Sequence, residues 1–208
     1  MQKVYIVSAR RTAIGAFLGS LSEMNPADMG AEVVKAVLKD AKVAPEQVDE
    51  LICGNILSAG LGQGIGRQVA VKAGIPVEVP AYSVNMLCGS GMKAVINGMS
   101  SILAGEADII VAGGVESMSR APYLIPRETR KGIKMGSFQV EDHMLKDALT
   151  DAFEGIHMGM TAENVAAKHA IDRARQDSFA FASQQKAIAS VDAGHFDEEI
   201  VPLTVKNG

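Results

Sequence analysis

Apolar residues along the first part of the chain recur in two alternating rhythms. Short, dense apolar runs at 3–8, 51–57, 80–85 and 109–115 predict strands. The last is almost wholly apolar and is expected to be buried on both faces. Between these runs the spacing is helical. Residues 26–40 place Met29, Val33, Val34, Val37 and Leu38 on one face, with Asn25 as N-cap and Pro26 in the first turn. The stretch Gly60-Leu-Gly-Gln-Gly-Ile-Gly66 reads as a loop into a short helix near 67–73. Residues 89–103 read as a helix closed by Gly105. Alternation of this kind predicts a three-layer α/β domain.

Beyond Met118 the pattern changes. Residues 119–135 are rich in Pro, Arg, Lys and Gly and predict an extended excursion. Helical spacing returns at about 146–153, 161–170 and 173–193, residues 199–205 look extended, and Lys206-Asn-Gly208 reads as a polar turn. No internal repeat or low-complexity tract interrupts this order.

Composition narrows the class. A chain of 208 residues with 48% hydrophobic and 21% charged residues has the balance of a globular protein able to bury a sizeable core. Aromatic residues make up only 4%, and Trp is absent, so that core must be aliphatic. The net charge of −4 and the scattered Lys and Arg residues leave no nucleic-acid footprint. The basic cluster at 127–134 reads as a solvated loop in preference to a phosphate-binding patch. No apolar run approaches the ~18–20 residues of a membrane span. The N-terminal apolar run lacks a following small-residue cleavage site and does not read as a signal peptide. The two cysteines, Cys53 and Cys88, stand in unrelated settings, which points to a reducing, cytoplasmic compartment.

Candidate chemistry concentrates in Pro80-Ala-Tyr-Ser-Val-Asn-Met-Leu-Cys-Gly-Ser-Gly-Met-Lys-Ala-Val95. A predicted strand runs directly into a predicted helix, and Cys88 occupies the hinge. There the positive end of the helix dipole and free backbone N–H groups favour a thiolate, the nucleophilic form of the residue. Gly89 and Gly91 clear space for a thioester to approach. The arrangement is that of a nucleophile elbow with sulfur in place of oxygen, suited to acyl transfer. The Cys88 N–H is placed to face an oxyanion. An isolated cysteine is more often a buried core residue, and Cys53, inside the apolar run Leu51-Ile-Cys-Gly54, fits that description.

The same residues also fit a loosened dinucleotide-binding fingerprint, Gly89-Ser-Gly-Met-Lys-Ala94. That pattern wants an acidic residue at the end of the next strand. Asp108 comes at its beginning and Glu116 late, so acyl transfer is the stronger reading. The four histidines, His143, His157, His169 and His195, show no metal-ligand spacing, and no metal site is expected. His169 and His195 read as surface or capping residues. His157 lies in a glycine-flanked apolar turn, Gly155-Ile-His-Met-Gly-Met-Thr161, before a helix.

The stretch Val84-Asn-Met-Leu-Cys-Gly-Ser-Gly-Met-Lys-Ala-Val95 resembles the acyl-enzyme signature of the thiolase family. The resemblance extends over the whole chain. It takes in Val7-Ser-Ala-Arg-Arg-Thr-Ala-Ile-Gly15, Gly54-Asn-Ile-Leu-Ser-Ala-Gly-Leu-Gly-Gln-Gly64 and Ala112-Gly-Gly-Val-Glu-Ser-Met-Ser-Arg-Ala-Pro122. Lys134-Met-Gly136 and His157-Met-Gly-Met-Thr-Ala-Glu-Asn164 complete it. The His-Met-Gly run is most similar to the short-chain acetoacetyl-CoA thiolases. The resemblance implies a five-layer αβαβα architecture of two α/β halves, of which residues 1–118 supply most of the N-terminal αβα half. Residues 119–208 would be part of the inserted loop domain, and the segment near 120–135 the loop joining dimers into tetramers.

It further implies an acetyl-CoA acetyltransferase activity, two acetyl-CoA condensing to acetoacetyl-CoA and CoA or the reverse. CoA and acetyl-CoA would be substrates, with no prosthetic group. Cys88 would carry the acetyl group as a thioester, His157 and Met158 would border the acyl pocket, and Leu149 would touch the pantetheine arm. The full-length form would be a homodimer or homotetramer. The family's Gly-His-Pro histidine and Cys-x-Gly-Gly-Gly cysteine belong to its C-terminal half and have no counterpart here, nor does the last strand of the first half. The chain alone is therefore expected to be incomplete and inactive. The alternative is a non-catalytic thiolase-like subunit that pairs with a partner chain.

Overall fold

The computed structural model describes residues 3–205. At its centre lies a parallel three-stranded sheet in the order β2-β1-β3, formed by β1 (Glu50–Gly54), β2 (Ala81–Val84) and β3 (Ile110–Gly114). The register sets Leu51 against Ala81 on one side and Val111 on the other. Two crossovers build it. Helix α2 (Ile65–Ala73) links β1 to β2, and α3 (Ser90–Ala104) links β2 to β3 past β1. Successive crossovers that run in opposite directions, each right-handed, must lie on opposite faces. Side chains agree. Leu51 and Cys53 join the core cluster with Val34, Leu38, Val69 and Ala70 of α1 (Pro26–Ala41) and α2. Gly54, the next position and on the other face, lies against the backbone of Ser90 at the start of α3. The result is the expected αβα sandwich.

Helix ends follow from local chemistry. The Asn25 side chain accepts the Ala27 N–H at 2.8 Å to cap α1, and Pro26 takes its first position. The glycine-rich loop before α2 is pinned by Gln68, whose Nε2 donates to the carbonyls of Leu61 and Gln63. Ser83 of β2 accepts the Gly66 N–H at 2.9 Å. At Gly66 a Cβ would come within 2.3 Å of the Tyr82 carbonyl oxygen, so only glycine lets α2 lie this close to β2.

Two expectations for the sheet are corrected. Residues 3–8 form no strand among the described residues, and Tyr5, Ile6 and Val7 are 72%, 78% and 75% exposed. An apolar cleft of about 870 Å³ separates this segment from the outer edge of β3, so its backbone has no ladder to join. For the same reason β3 is half-buried along most of its length rather than fully buried.

The remainder of the chain is built differently. A two-residue antiparallel pair, β4 (Tyr123–Leu124) with β5 (Glu141–Asp142), lies within and beyond the segment expected to be merely extended. Residues 127–131 make an exposed 3₁₀ turn, in which Arg127 pairs with Glu128. The helix expected at 146–153 is a single π turn, Leu145–Leu149. Helices α4 (Met158–Lys168) and α5 (Arg173–Asp192) appear where helical spacing predicted them, and neither buries a residue. The extended stretch at 199–205 touches the start of the chain. Arg11 N–H donates to Glu199 O, and Val201 N–H donates to Arg11 O. The polar turn expected at Lys206–Gly208 lies outside the described residues. No helix among the described residues is long and apolar enough to cross a membrane.

Candidate functional site

Cys88 lies between the end of β2 and the first turn of α3, at the carboxyl edge of the sheet, and it is exposed. Open α/β sheets form their ligand crevices at this edge. The chain reverses direction in a tight turn. The Gly89 N–H donates to Met86 O at 3.1 Å and the Ser90 N–H to Leu87 O at 2.9 Å. Leu87, immediately before the cysteine, has φ +48°, a left-handed conformation that residues with a Cβ seldom take. Three side-chain bonds surround it. Asn85 Oδ1 accepts the Leu87 N–H at 3.0 Å, Ser90 Oγ accepts the Met86 N–H at 2.8 Å, and the Ser90 hydroxyl donates to Leu87 O at 2.6 Å.

The start of α3 seats deeply on the sheet. A Cβ on Gly54 would lie 2.5 Å from the Ser90 carbonyl carbon, so glycine at this end of β1 permits the approach. Cys53, one residue earlier, points to the opposite face. It is 5% exposed, and burial pushes its thiol up to about 11. The thiol proton is shared weakly with the Gly54 carbonyl at 3.6 Å.

Glu116, just past β3, is fully engaged within the fold. Its carboxylate accepts the N–H groups of Ile56 and Leu57 at 2.8 and 3.0 Å and the Asn55 side-chain amide at 3.0 Å. These bonds hold the loop after β1 and leave Glu116 poorly placed to receive a ribose, which weakens the dinucleotide reading.

Leu149, His157 and Met158 are brought together by one backbone bridge. A bridge between Thr150 and His157 sets the half-buried Leu149 beside Met158, which is partly exposed. His157 is the N-cap of α4. Its Nδ1 accepts the Gly159 N–H at 2.9 Å, which leaves Nε2 as the ring nitrogen turned to other partners. No hydrogen bond among the described residues ties this group to Cys88. His169 ends α4, and His195 is exposed.

Sequence reasoning passed over His143. It is buried, its Nδ1 lies 2.7 Å from Asp147 Oδ2, and its Nε2 has no partner among the described residues. The four-residue spacing of His143 and Asp147 was the available signal. The side chains of Asn85 and Ser90 were passed over too, although Asn and Ser are the residues that commonly bond to turn backbone. Among the described residues no cluster of His, Cys, Asp or Glu has the geometry to hold a metal ion.

With this geometry in view, comparison with known proteins is informative. Residues 4–208 match the family description "Thiolase, N-terminal domain". An acetyl-CoA acetyltransferase of Chromobacterium violaceum is 51% identical over 203 residues, covering 98% of this chain and 52% of the relative. A cytosolic acetyl-CoA acetyltransferase of Mus musculus is 52% identical over 204 residues, covering 98% of this chain and 51% of the relative. The chain thus spans about half the length of the curated relatives it matches. Among solved structures, the Acat5 thiolase of Ascaris suum in complex with coenzyme A superposes with a TM-score of 0.92. Its sequence identity is 36%, and the match covers 98% of this chain and 54% of that one. On sequence and fold alike, this chain belongs to the thiolase family and corresponds to its N-terminal domain.

Proposed function

We propose that this chain supplies the acyl-carrying part of an acetyl-CoA acetyltransferase, with Cys88 as the nucleophile. The Cys88 thiolate attacks the thioester carbonyl of acetyl-CoA, a new carbon–sulfur bond forms, and the bond to CoA sulfur breaks. CoA leaves as a thiolate that takes up a proton, and the acetyl group stays on Cys88. A second acetyl-CoA, deprotonated at its methyl carbon, then forms a carbon–carbon bond to that acetyl carbonyl and expels the Cys88 thiolate, giving acetoacetyl-CoA. The reverse sequence is thiolysis. The observation that carries this reading is the exposed Cys88 on a strand-to-helix elbow at the sheet's carboxyl edge. Its own N–H would face the oxyanion.

His157 and Met158 would border the acetyl group and Leu149 the pantetheine arm, with no prosthetic group required. Residues 1–118 form the catalytic core in this reading. Residues 119–208 are part of a loop domain that reaches the CoA side and, near 120–135, joins dimers. The working form is a cytoplasmic homodimer or homotetramer of the longer protein. The proton acceptors come from a C-terminal half. The exposed apolar surface of α3 supports such a half: Met92 and Leu103 stand on the outer side of the helix, and Val95 and Met99 are exposed beside the cleft.

Acetoacetyl-CoA thiolysis, measured with this chain alone and with a separately supplied C-terminal half, tests the division of labour. General acid–base groups contribute about 10²–10⁴-fold each, so turnover is expected only in the mixture. Robust turnover by the chain alone would overturn the split and direct attention to His157 as a local base. A mixture that turns over without any acetyl adduct on Cys88 would favour the non-catalytic, pairing role.

A further inference from the structure

The elbow is held in an uncommon conformation by the side chains of Asn85 and Ser90, of which Ser90 alone is buried and bonds to both flanks. Leu87 has φ +48° although it is not glycine, and it is 53% exposed. Left alone, such a residue prefers other backbone regions. Ser90 is 4% exposed, and its hydroxyl bridges both flanks of the turn, accepting from Met86 N–H at 2.8 Å and donating to Leu87 O at 2.6 Å. The turn thus closes around Leu87, and Cys88 is the residue it presents. Ser90 itself is fixed because α3 begins against the Gly54 backbone.

We propose that Ser90 is a positioning residue for Cys88, holding the left-handed turn at Leu87 that keeps the sulfur at the helix N-terminus. Ser90 touches no substrate in this account and acts only through the turn. The inference rests on Cys88 as the acyl carrier. The two are tested by different readings of one experiment: which cysteine is labelled in the unsubstituted chain, and how the Cys88 rate changes among variants.

Brief iodoacetamide labelling of the folded chain at a fixed pH provides the rates. Ser90→Ala should slow Cys88 labelling about fivefold, the equivalent of the roughly 1 kcal/mol that one hydrogen bond gives to holding the turn. Adding Leu87→Asn to that variant should restore most of the rate, because asparagine takes the left-handed conformation readily and the exposed Leu87 side chain packs little. A purely structural serine would show no such rescue. An unchanged or faster rate in a folded Ser90→Ala chain, or no recovery in the double variant, overturns the proposal. Where Ser90→Ala fails to fold, amide hydrogen exchange in the unsubstituted chain decides. A protected Met86 N–H is expected, and rapid exchange there means the hydroxyl bridge does not hold the turn.

Discussion

Burial separates the two cysteines chemically as well as spatially. Cys53 sits in the core with its thiol pushed up to about 11, whereas Cys88 is exposed at the elbow. At pH 8 the buried Cys53 thiol stays protonated, so it offers little of the thiolate that alkylation needs. Peptide mapping after brief alkylation of the folded chain should therefore find Cys88 labelled first. Labelling of Cys53 should rise about tenfold per pH unit until near 11. Cys53 labelled ahead of Cys88 at pH 8 would remove the basis for the nucleophile assignment. The raised pKa also has a stability sign. The neutral thiol's contribution is complete below its ordinary range, about 8.5, and is lost as pH rises towards 11. Much of this site was legible from residue types alone, since a strand, Cys-Gly-Ser-Gly and a helix in succession leave little choice about where Cys88 lies. The Ser90 bridge and the buried His143–Asp147 pair were not legible. Each depends on a turn or packing contact that short-range patterns do not encode.

Between elements, Asp49 joins the beginnings of β1 and β3. Its carboxylate accepts the N–H groups of Asp108 and Ile109 at 2.8 and 2.9 Å, and its own N–H donates to Ile109 O at 2.9 Å. The bonds from Ile109 and Asp108 hold its carboxyl below the usual range. A lowered carboxyl contributes stability above its ordinary pKa and loses it as pH falls through the folded value. Asp49→Asn should therefore lower the urea midpoint at pH 7, by an equivalent of about 1 kcal/mol or less given its exposure. The difference from the parent chain should shrink at pH 3. A gap that persists unchanged in acid would show that charge plays no part. Neighbouring Glu50 acts in the opposite sense. Burial, with Glu106 nearby, raises its carboxyl, so its contribution is present in acid and is lost as pH rises. Most elements were legible because α1, α2, α3 and the central strands carry complete apolar faces. The strand at 3–8 was misread because its apolar pattern is genuine while the cleft keeps it from the open edge of β3. The pair β4–β5 was too short to have a period.

The whole molecule leaves much apolar surface in water. Tyr5, Ile6 and Val7 line one side of the open cleft, Met92 and Leu103 stand on the outer face of α3, and Phe179 and Phe181 project from α5. Among the described residues both edges of the central sheet are unpaired, since β2 and β3 each have a single neighbour. Open edges and apolar patches both promote association. Light scattering at micromolar concentration should therefore report a dimer or larger species. A monodisperse monomer would count against the dimer.

The contact between the first and last described segments has a mechanical consequence. Arg11 is bonded through its backbone to Glu199 and Val201, its guanidinium reaches Glu199 Oε1 at 2.7 Å, and it lies 5.2 Å from the centre of the Phe196 ring. A pulling force applied between residues 3 and 205 would run through this small clasp before reaching the sheet. When the clasp parts, residues 119–200 can unreel as slack while β1, β2 and β3 stay paired. Tension on the chain would thus be absorbed first by the segment that buries least, leaving the Cys88 elbow as the part of the molecule most sheltered from strain.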